Sequence, residues 1–264
     1  MLTLPKRTAV ITGAANGVGR ALAVCAASRG MSLALADIDE SALNAVRKSL
    51  PSETQVLVEV LDVRDRSAQD TFASSVFERF GSVALVFANA GVMRAGTTWQ
   101  LDPADWDAVF DINVKGVVHT ASAFMPRLLE QTEPSRIVIT GSTSSFLPRP
   151  HLTAYSASKH ALWGMAEAMH LELAQQNAPV SISLLAPSGV KTGIAAVPLA
   201  AGASSKQREI HELLEQFGMP ADILAEQTFE ALQRERFWVL PHPDFKAALT
   251  LRAQSVVEER DPRD

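Results

Sequence analysis

Two residues one helical turn apart, Tyr155 and Lys159, present the most specific chemistry in the sequence. Positions i and i+4 lie on one face of a helix, so the phenol and the ammonium can face the same space. A tyrosine pKa near ~10 must fall by about 3, at a cost of ~4 kcal/mol, before the side chain can act as a base near neutral pH. A lysine charge about 5 Å away supplies roughly 3 kcal/mol at an effective dielectric of ~20. The pair therefore predicts a tyrosinate base that works with a cationic, oxidised nicotinamide; the alternative is a surface tyrosine with a lysine nearby.

Short apolar segments alternate with amphipathic helical segments along the chain. The apolar segments are rich in Val, Ile, Leu and Ala and do not alternate with polar residues, which suits parallel strands buried on both faces. The predicted strands are Thr8–Thr12, Ser32–Ala36, Gln55–Val60, Val83–Ala88, Arg136–Thr140, Val180–Ala186 and Phe237–Leu240. The predicted helices are Gly17–Ser28, Asp39–Ser49, Arg66–Phe80, Pro103–Leu129, Ala154–Gln175, Lys206–Phe217, Ala221–Arg234 and Asp244–Glu258. This order predicts an α/β fold, a seven-stranded, doubly wound parallel sheet with helices on both faces.

Length and composition favour one domain over residues 1–264. The chain has 264 residues, 47% of them hydrophobic, which is enough for one large core. A net charge of -5 argues against nucleic acid or an anionic membrane as a partner. The single cysteine, Cys25, excludes an internal disulfide framework and fits a reducing compartment. No apolar run is long enough to span a bilayer, so we expect a cytoplasmic protein.

Two segments depart from the regular alternation. The first, residues 193–218, follows the sixth strand and begins with small, flexible residues, so it could fold over a ligand as a substrate lid. The second, residues 243–260, follows the last strand and is predicted to form a C-terminal helical extension.

A glycine-rich turn, Thr12–Gly19, connects the first strand to the first helix. Glycines at such a turn permit a tight bend, close approach of the backbone to a pyrophosphate, and close packing of helix on strand. The helix N-terminus then presents free N–H groups and a partial positive charge to the phosphates. The strand before the turn and the helix after it are the context that supports a dinucleotide site over an ordinary glycine turn.

Polar residues follow the next three strands, at the sheet edge where open α/β proteins bind ligands. Asp37 lies ~20 residues beyond the glycines, where a carboxylate holds the adenosine ribose hydroxyls. Because the residue after it, Ile38, is not basic, the sequence favours NAD over NADP. Asp39 is the predicted N-cap of the next helix. Asp62 has two candidate roles, a hydrogen bond to the adenine amino group or the cap of the helix that follows it.

With these residues together, the chain resembles the short-chain dehydrogenase/reductase family from Thr8 to Leu240. The resemblance rests on seven features in the family's order: T-G-x-x-x-G-x-G at Thr12–Gly19, Asp37, Asp62-Val63, N-A-G at Asn89–Gly91, Asn113, Ser142, and Tyr155 with Lys159. Two positions depart from the family pattern. Ala88 replaces an asparagine that helps to brace the central strand, and Ser188 replaces a glycine beside the nicotinamide and substrate.

The resemblance implies a Rossmann-like domain and a role for each site residue. Tyr155 would be the acid/base, Lys159 would lower its pKa and hold the nicotinamide ribose, Ser142 would orient the substrate oxygen, and Asn113 would hold a water that links Lys159 to solvent. The implied cofactor contacts are Gly13, Asn16, Gly17, Val18, Gly19, Asp37, Asp62, Val63, Asn89, Gly91, Tyr155, Lys159, Pro187, Val190 and Thr192. The implied substrate contacts are Ser142, Phe146, Tyr155, Ser188 and Ile194.

These residues predict an NAD-dependent oxidoreductase that interconverts a hydrophobic secondary alcohol and its ketone. Aromatic and alicyclic alcohols are the first candidates. The other pocket-facing candidates are also apolar, namely Leu147, Val197 and Leu199. Two alternatives stay open, an NADP-linked carbonyl reductase and a non-catalytic NAD-binding regulatory protein. The six histidines show no metal-binding spacing, so we assign no metal.

The resemblance also implies a homodimer or homotetramer. The helices Pro103–Leu129 and Ala154–Gln175 match those that pack across a two-fold axis in the family. The expected outward residues of the second helix are Leu162, Met165, Ala166, Met169 and Leu173. A second family interface runs along the last strand, which the C-terminal extension could cover.

Overall fold

Seven parallel strands form one sheet in the order β3-β2-β1-β4-β5-β6-β7 in the computed structural model, which describes residues 4–195 and 205–262. The strands are β1 (Thr8–Thr12), β2 (Ser32–Asp37), β3 (Val56–Val60), β4 (Val83–Ala88), β5 (Ser135–Thr140), β6 (Val180–Leu185) and β7 (Trp238–Val239). The α-helices are α1 (Gly17–Ser28), α2 (Glu40–Ser49), α3 (Arg66–Phe80), α4 (Pro103–Phe110), α5 (Gly116–Leu129), α6 (Thr153–Gln175), α7 (Ser205–Phe217), α8 (Ala221–Gln233) and α9 (Phe245–Val257). The predicted fold class is confirmed. Predicted lid residues 196–204, including Val197 and Leu199, lie outside the described residues.

The central strands are buried on both faces because helices cover each side of the sheet. One core lies against α1, α2 and α8, where the Phe87 and Phe229 rings are 5.8 Å apart. The opposite core lies against α3, α5 and α6, where Phe72 and Phe124 meet edge to face with centroids 5.9 Å apart. This two-sided burial explains why the strands are continuous apolar runs, without the alternation of a half-exposed sheet.

Two predicted elements differ from the structure. The helix predicted at Pro103–Leu129 is interrupted by a π-helical segment, Asp111–Lys115, between α4 and α5. Such segments carry an extra residue in one turn and are frequent at functional sites; here it contains Asn113. The last strand has only two residues, Trp238 and Val239, which pair with Leu184 and Leu185 of β6 at the sheet edge.

Aspartates cap the helices that follow the strands. The Asp39 side chain accepts the Ala42 N–H at 2.9 Å, which confirms the predicted cap of α2. The cap of α3 is Asp65, which accepts the Ala68 N–H at 3.0 Å. The alternative in which Asp62 caps that helix is therefore wrong, since Asp62 lies one turn too early in the chain.

An aromatic cluster holds the C-terminal helix α9 against the sheet. The ring centroid of Phe245, on α9, lies 5.6 Å from that of Phe146. The Phe146 centroid also lies 4.6 Å from that of Trp163 and 5.8 Å from that of Trp238. Phe146 is only 4% exposed within this cluster. Its predicted contact with substrate is therefore corrected: the side chain is occupied in joining α6, β7 and α9.

The orientation of α6 also differs from the prediction. Leu162 and Ala166 are fully buried and Leu173 nearly so, because they face the chain's own core. The solvent-facing side of α6 instead carries Ala161, Gly164, Ala168 and Leu171. The helix has a second apolar side made of smaller residues than the sequence pattern indicated.

Among the described helices, none combines the length and the apolar character needed to cross a bilayer.

Candidate active site

The sheet reverses its winding between β1 and β4, since β1 pairs with β2 on one side and with β4 on the other. Loops that leave neighbouring strands in opposite directions open a crevice at the carboxyl ends of the strands. A cavity of about 2640 Å³ lies there. It is far larger than the ~300–1,000 Å³ of a drug-sized site, so it has room for a dinucleotide together with a second ligand.

The glycine loop forms one wall of this cavity, and three of its positions require glycine. Gly13 and Gly17 have φ angles of +66° and +51°, a left-handed conformation that other residues rarely adopt. A Cβ atom on Gly19 would fall 2.0 Å from the Gly13 carbonyl oxygen. A Cβ atom on Gly17 would lie 3.0 Å from the side chain of Thr192, across the cavity. The loop backbone therefore lines the cavity without side chains in the way and packs against Thr192, and this glycine loop is the candidate cradle for a pyrophosphate.

Asp37 closes the adenosine end of the cradle. Its carboxylate accepts the Ala15 N–H at 2.9 Å and the Asp39 N–H at 3.1 Å, which fixes the side chain toward the glycine loop. Each carboxylate oxygen keeps a lone pair for a ligand hydroxyl. The neighbouring Ile38 is 70% exposed and offers no charge to a phosphate.

The side chain of Asn89 joins three strands beneath the cavity. Its Nδ2 donates to the carbonyls of Thr12 at 3.1 Å and Gly13 at 3.3 Å, and its Oδ1 accepts the Thr140 hydroxyl at 3.2 Å. This one amide braces the crevice although its neighbour, Ala88, lacks the amide expected from the family.

Ser142 is held at the start of a short 3₁₀ turn, Thr143–Ser145, directly after β5. Its Oγ accepts the Ser144 N–H at 3.1 Å, and the Ser145 hydroxyl accepts the Ser142 N–H at 3.2 Å. The hydroxyl proton of Ser142 is not used in these two bonds. The turn therefore fixes the serine in the same cavity wall as Tyr155.

Tyr155 and Lys159 share one face of α6, as predicted. The Lys159 Nζ donates to the Thr140 carbonyl at 2.8 Å and lies 5.6 Å from the centre of the Tyr155 ring. Burial lowers the pKa of Lys159 to about 8. Burial also raises the pKa of Tyr155, against a smaller lowering effect of the Ser142 hydroxyl. The tyrosinate predicted for the complex with an oxidised nicotinamide stays a prediction.

Asn113 lies in the π-helical segment and is completely buried. Its Oδ1 accepts the Val92 N–H at 2.8 Å, and its Nδ2 donates to the Val92 carbonyl and to the Ser158 hydroxyl, both at 3.0 Å. A Cβ atom on Gly91 would lie 3.2 Å from this Oδ1 and 3.6 Å from the Lys159 Nζ. Asn113 is thus beside the lysine, with both side-chain donor hydrogens already used. Its link to a water stays a prediction.

Fifteen of the predicted site residues line the cavity. They are Gly13, Asn16, Gly17, Val18, Asp37, Asn89, Gly91, Ser142, Tyr155, Lys159, Pro187, Ser188, Val190, Thr192 and Ile194.

Five others are not in the cavity wall within the described part of the chain. Gly19 and Asn113 lie behind the wall, Phe146 belongs to the aromatic cluster, and Val63 packs on Gly116. Asp62 binds the Arg64 guanidinium at 2.5 Å, and this bond lowers the pKa of its carboxyl.

Two residues that sequence reasoning missed organise the substrate side. Gln207, on α7, is fully buried; its Oε1 accepts the Ala95 N–H at 2.9 Å, and its Nε2 lies 3.4 Å from the carbonyls of Met93 and Ala195. His242, after β7, accepts the Ser188 N–H. No sequence signal could have found them, since their partners lie up to 114 positions away in the chain.

No three His, Cys, Asp or Glu side chains in the described ranges come together in a way that could hold a metal ion.

The chain matches the family model for short chain dehydrogenase over residues 7–200. A CLA biosynthesis dehydrogenase/reductase from Lactiplantibacillus plantarum is 30% identical over 96% of this chain and 93% of its own length. A 1-deoxy-11-beta-hydroxypentalenate dehydrogenase from Streptomyces avermitilis is 33% identical over 93% of this chain and 88% of its own length. The crystal structure of a short-chain dehydrogenase/reductase from Burkholderia phymatum in complex with NAD is 35% identical, with a TM-score of 0.93 over 100% of this chain and 99% of that one.

The chain therefore belongs to the short-chain dehydrogenase/reductase family. It is an oxidoreductase of that family and takes a nicotinamide cofactor and a small-molecule substrate.

The buried lysine makes a testable contribution to stability. Since the unfolded lysine titrates near 10.5 and the folded one at about 8, the buried charge destabilises the fold by roughly 3 kcal/mol below pH 8. This penalty disappears as pH rises through 8 toward 10.5. Lys159→Met should therefore stabilise the ligand-free protein at pH 7, and its advantage in urea unfolding should shrink between pH 7 and 9.5. The exposed Lys246→Met is the matched control; an advantage for Lys159→Met that is independent of pH would contradict this account.

Proposed function

We propose that this protein is an NAD-dependent oxidoreductase that interconverts a hydrophobic secondary alcohol and its ketone, with Tyr155 as the acid/base. The single observation that carries the proposal is that Ser142, Tyr155 and Lys159 line one cavity wall, with the Lys159 Nζ 5.6 Å from the centre of the Tyr155 ring. A hydroxyl, a phenol and an ammonium in one enclosed place are the groups that proton transfer to or from an alcohol oxygen requires.

Each of these residues would have a distinct role. Ser142, fixed by the Ser144 N–H, would orient the substrate oxygen, and Tyr155 would take or return its proton. A bound nicotinamide exchanges a hydride with the substrate carbon and, when oxidised, brings a positive charge. That charge favours the tyrosinate, which burial alone disfavours. Lys159, fixed by the Thr140 carbonyl, would hold the nicotinamide ribose and stabilise the same anion.

The preference for NAD is supported by Asp37 and its neighbour. The carboxylate faces the glycine loop and accepts two backbone N–H groups, so it would meet the ribose hydroxyls of NAD but repel a 2′-phosphate. Ile38 supplies no cation to offset that repulsion. The solved relative from Burkholderia phymatum, which binds NAD, agrees with this preference.

A hydrophobic substrate is supported by the apolar side chains in the cavity wall. Met93, Leu147, Ile194, Ile210 and Leu214 line it near the catalytic residues. The relative named as a 1-deoxy-11-beta-hydroxypentalenate dehydrogenase agrees with a hydroxyl-bearing substrate. A panel of aryl, alicyclic and long-chain secondary alcohols, followed by NADH absorbance, would identify the class. Turnover of short polar alcohols at the same rate as the hydrophobic ones would contradict the proposed substrate class.

The rival hypothesis is a protein that keeps NAD only as a sensor ligand. A sensor needs the glycine loop and Asp37 but has no use for an aligned Ser142, Tyr155 and Lys159. The experiment that separates the two is therefore a substitution at Tyr155 that leaves the cofactor cradle intact.

Tyr155→Phe should bind NADH as the parent does but lose about 10²- to 10⁴-fold in kcat, the usual contribution of a positioned acid/base. Tyr155 is the chain's one tyrosine, so its ionisation in the parent protein can also be followed directly by ultraviolet difference absorbance. We expect it to ionise above pH 10 in the ligand-free protein and at a lower pH with NAD⁺ bound. Full activity of the phenylalanine variant would refute the assignment.

Cofactor choice should respond to two adjacent residues. Asp37→Ala with Ile38→Arg removes the repulsion and adds a phosphate partner, so the NADPH-to-NADH affinity ratio should rise by at least about tenfold. Asp37→Asn alone is the control, since it removes the charge but keeps an acceptor for the Ala15 N–H. A parent protein that already binds NADPH more tightly than NADH would overturn the NAD assignment.

We also propose a homo-oligomer, at least a dimer, formed through the solvent face of α6. This face presents Ala161, Gly164, Ala168 and Leu171, and a Cβ atom on Gly164 would meet nothing within 4 Å, so a second copy could approach closely. Light scattering at micromolar concentration should show a dimer or tetramer, and Ala168→Arg should reduce the mass. Ser74→Arg, on the exposed face of α3, is the control. A monomeric parent would refute the proposal.

A further inference from the structure

The loop after β6, residues 187–192, lies directly across the cavity from the glycine loop. The side chain of Thr192 would touch a Cβ atom placed on Gly17, at 3.0 Å. Pro187, Ser188 and Val190 line the same wall as Tyr155. Any cofactor that passes between the glycine loop and the catalytic tyrosine must contact this loop, so the loop's position sets the geometry of the nicotinamide end.

Hydrogen bonds to its backbone hold this loop. Among those in the described residues, three are bonds to other backbone groups, and one comes from the side chain of His242, whose Nδ1 accepts the Ser188 N–H at 3.1 Å. The backbone bonds are Thr143 N–H to the Pro187 carbonyl at 2.8 Å, Met219 N–H to the Gly189 carbonyl at 2.9 Å, and Lys191 N–H to the Met219 carbonyl at 3.0 Å. The histidine therefore anchors the loop between its first residue and its bridge to Met219.

This hydrogen bond defines the protonation state of the imidazole. A backbone N–H can only donate, so Nδ1 must accept, and the ring proton resides on Nε2. Burial lowers the pKa of His242, against the smaller opposing effect of the Asp244 carboxylate two residues away. Lys191, on the loop itself, is exposed. At neutral pH the side chain is a neutral acceptor, as the contact with Ser188 requires.

His242 also lies where two parts of the molecule meet. It follows β7 by three residues and precedes Phe245, the residue of α9 that packs into the aromatic cluster. The same side chain lines the cavity. The hydrogen bond from Ser188 to His242 therefore connects the segment before α9 to the loop at residues 187–192.

We propose that His242 is a positioning residue that holds the Pro187–Thr192 loop against the nicotinamide end of the cofactor through the Ser188 N–H. This proposal rests on the proposed function, since it concerns the nicotinamide site. The residue does not touch the reacting atoms; it acts through the loop. Protonation of Nδ1 would convert the acceptor into a donor, break the bond to Ser188 and loosen the loop.

The test compares three substitutions, His242→Leu, His242→Asn and His242→Gln. Leucine has a similar volume but provides no hydrogen-bond acceptor. The amide oxygen of asparagine can occupy the position of the histidine Nδ1. Glutamine is longer, so its amide oxygen falls near the position of the histidine Nε2. The NADH dissociation constant by fluorescence and the KM and kcat of the alcohol reaction are measured for each. We expect His242→Leu and His242→Gln to raise the NADH dissociation constant and the KM by about tenfold, because each leaves the buried Ser188 N–H unpaired. The change in kcat should be smaller. His242→Asn should keep the parent values.

The pH dependence separates positioning from packing. In the parent, NADH binding should weaken as the pH falls below 6.5 and His242 becomes protonated, because burial lowers its pKa. His242→Asn should abolish that loss because an amide does not titrate. His170→Leu, at an exposed histidine of α6, is the control that keeps the loss. The proposal is overturned if His242→Leu binds NADH and turns over alcohol as the parent does, or if His242→Asn is as impaired as His242→Leu. A parent that binds no nicotinamide cofactor would overturn the proposed function, and this proposal with it.

Discussion

The amide of Asn89 makes the contact on which the whole site depends. At the point where the sheet reverses its winding, the carboxyl ends of β1 and β4 are joined by the backbone ladder, by the Thr12 hydroxyl and by this amide. The amide connects the end of β1 to the start of the glycine loop and, through Thr140, to β5. The Thr140 carbonyl in turn receives Lys159. One short hydrogen-bonded chain therefore runs from the cofactor cradle to the catalytic helix.

Tyr155 and Lys159 are held in an environment that costs stability. Burial makes both the lysine ammonium and a tyrosinate unfavourable, since each charged form loses its hydration. The protein tolerates this cost because the surrounding sheet and helices are well packed on both faces. The Thr140 carbonyl offsets part of the cost of the lysine charge by accepting its hydrogen bond.

The substrate side is built from segments distant in the chain. The loop after β4, the turn after β5, the loop after β6 and helix α7 meet there, connected by Gln207 and by the backbone bridge between Val190 and Met219. The aromatic cluster around Phe146 then fixes α9 beside them. Because each of these segments is a connection rather than a strand, their shapes can vary without disturbing the sheet.

The sequence alone determined the order of strands and helices, the glycine loop, Asp37, and the placement of Tyr155 and Lys159 on one helix face. These features depend on local chemistry: apolar runs, backbone freedom at glycine and the helical repeat are properties of neighbouring residues. The sequence could not determine that Phe146 joins an aromatic cluster, that Leu162 faces inward, or that His242 and Gln207 anchor distant loops. Burial decides each of these outcomes, and burial exists only after residues far apart in the chain have packed together.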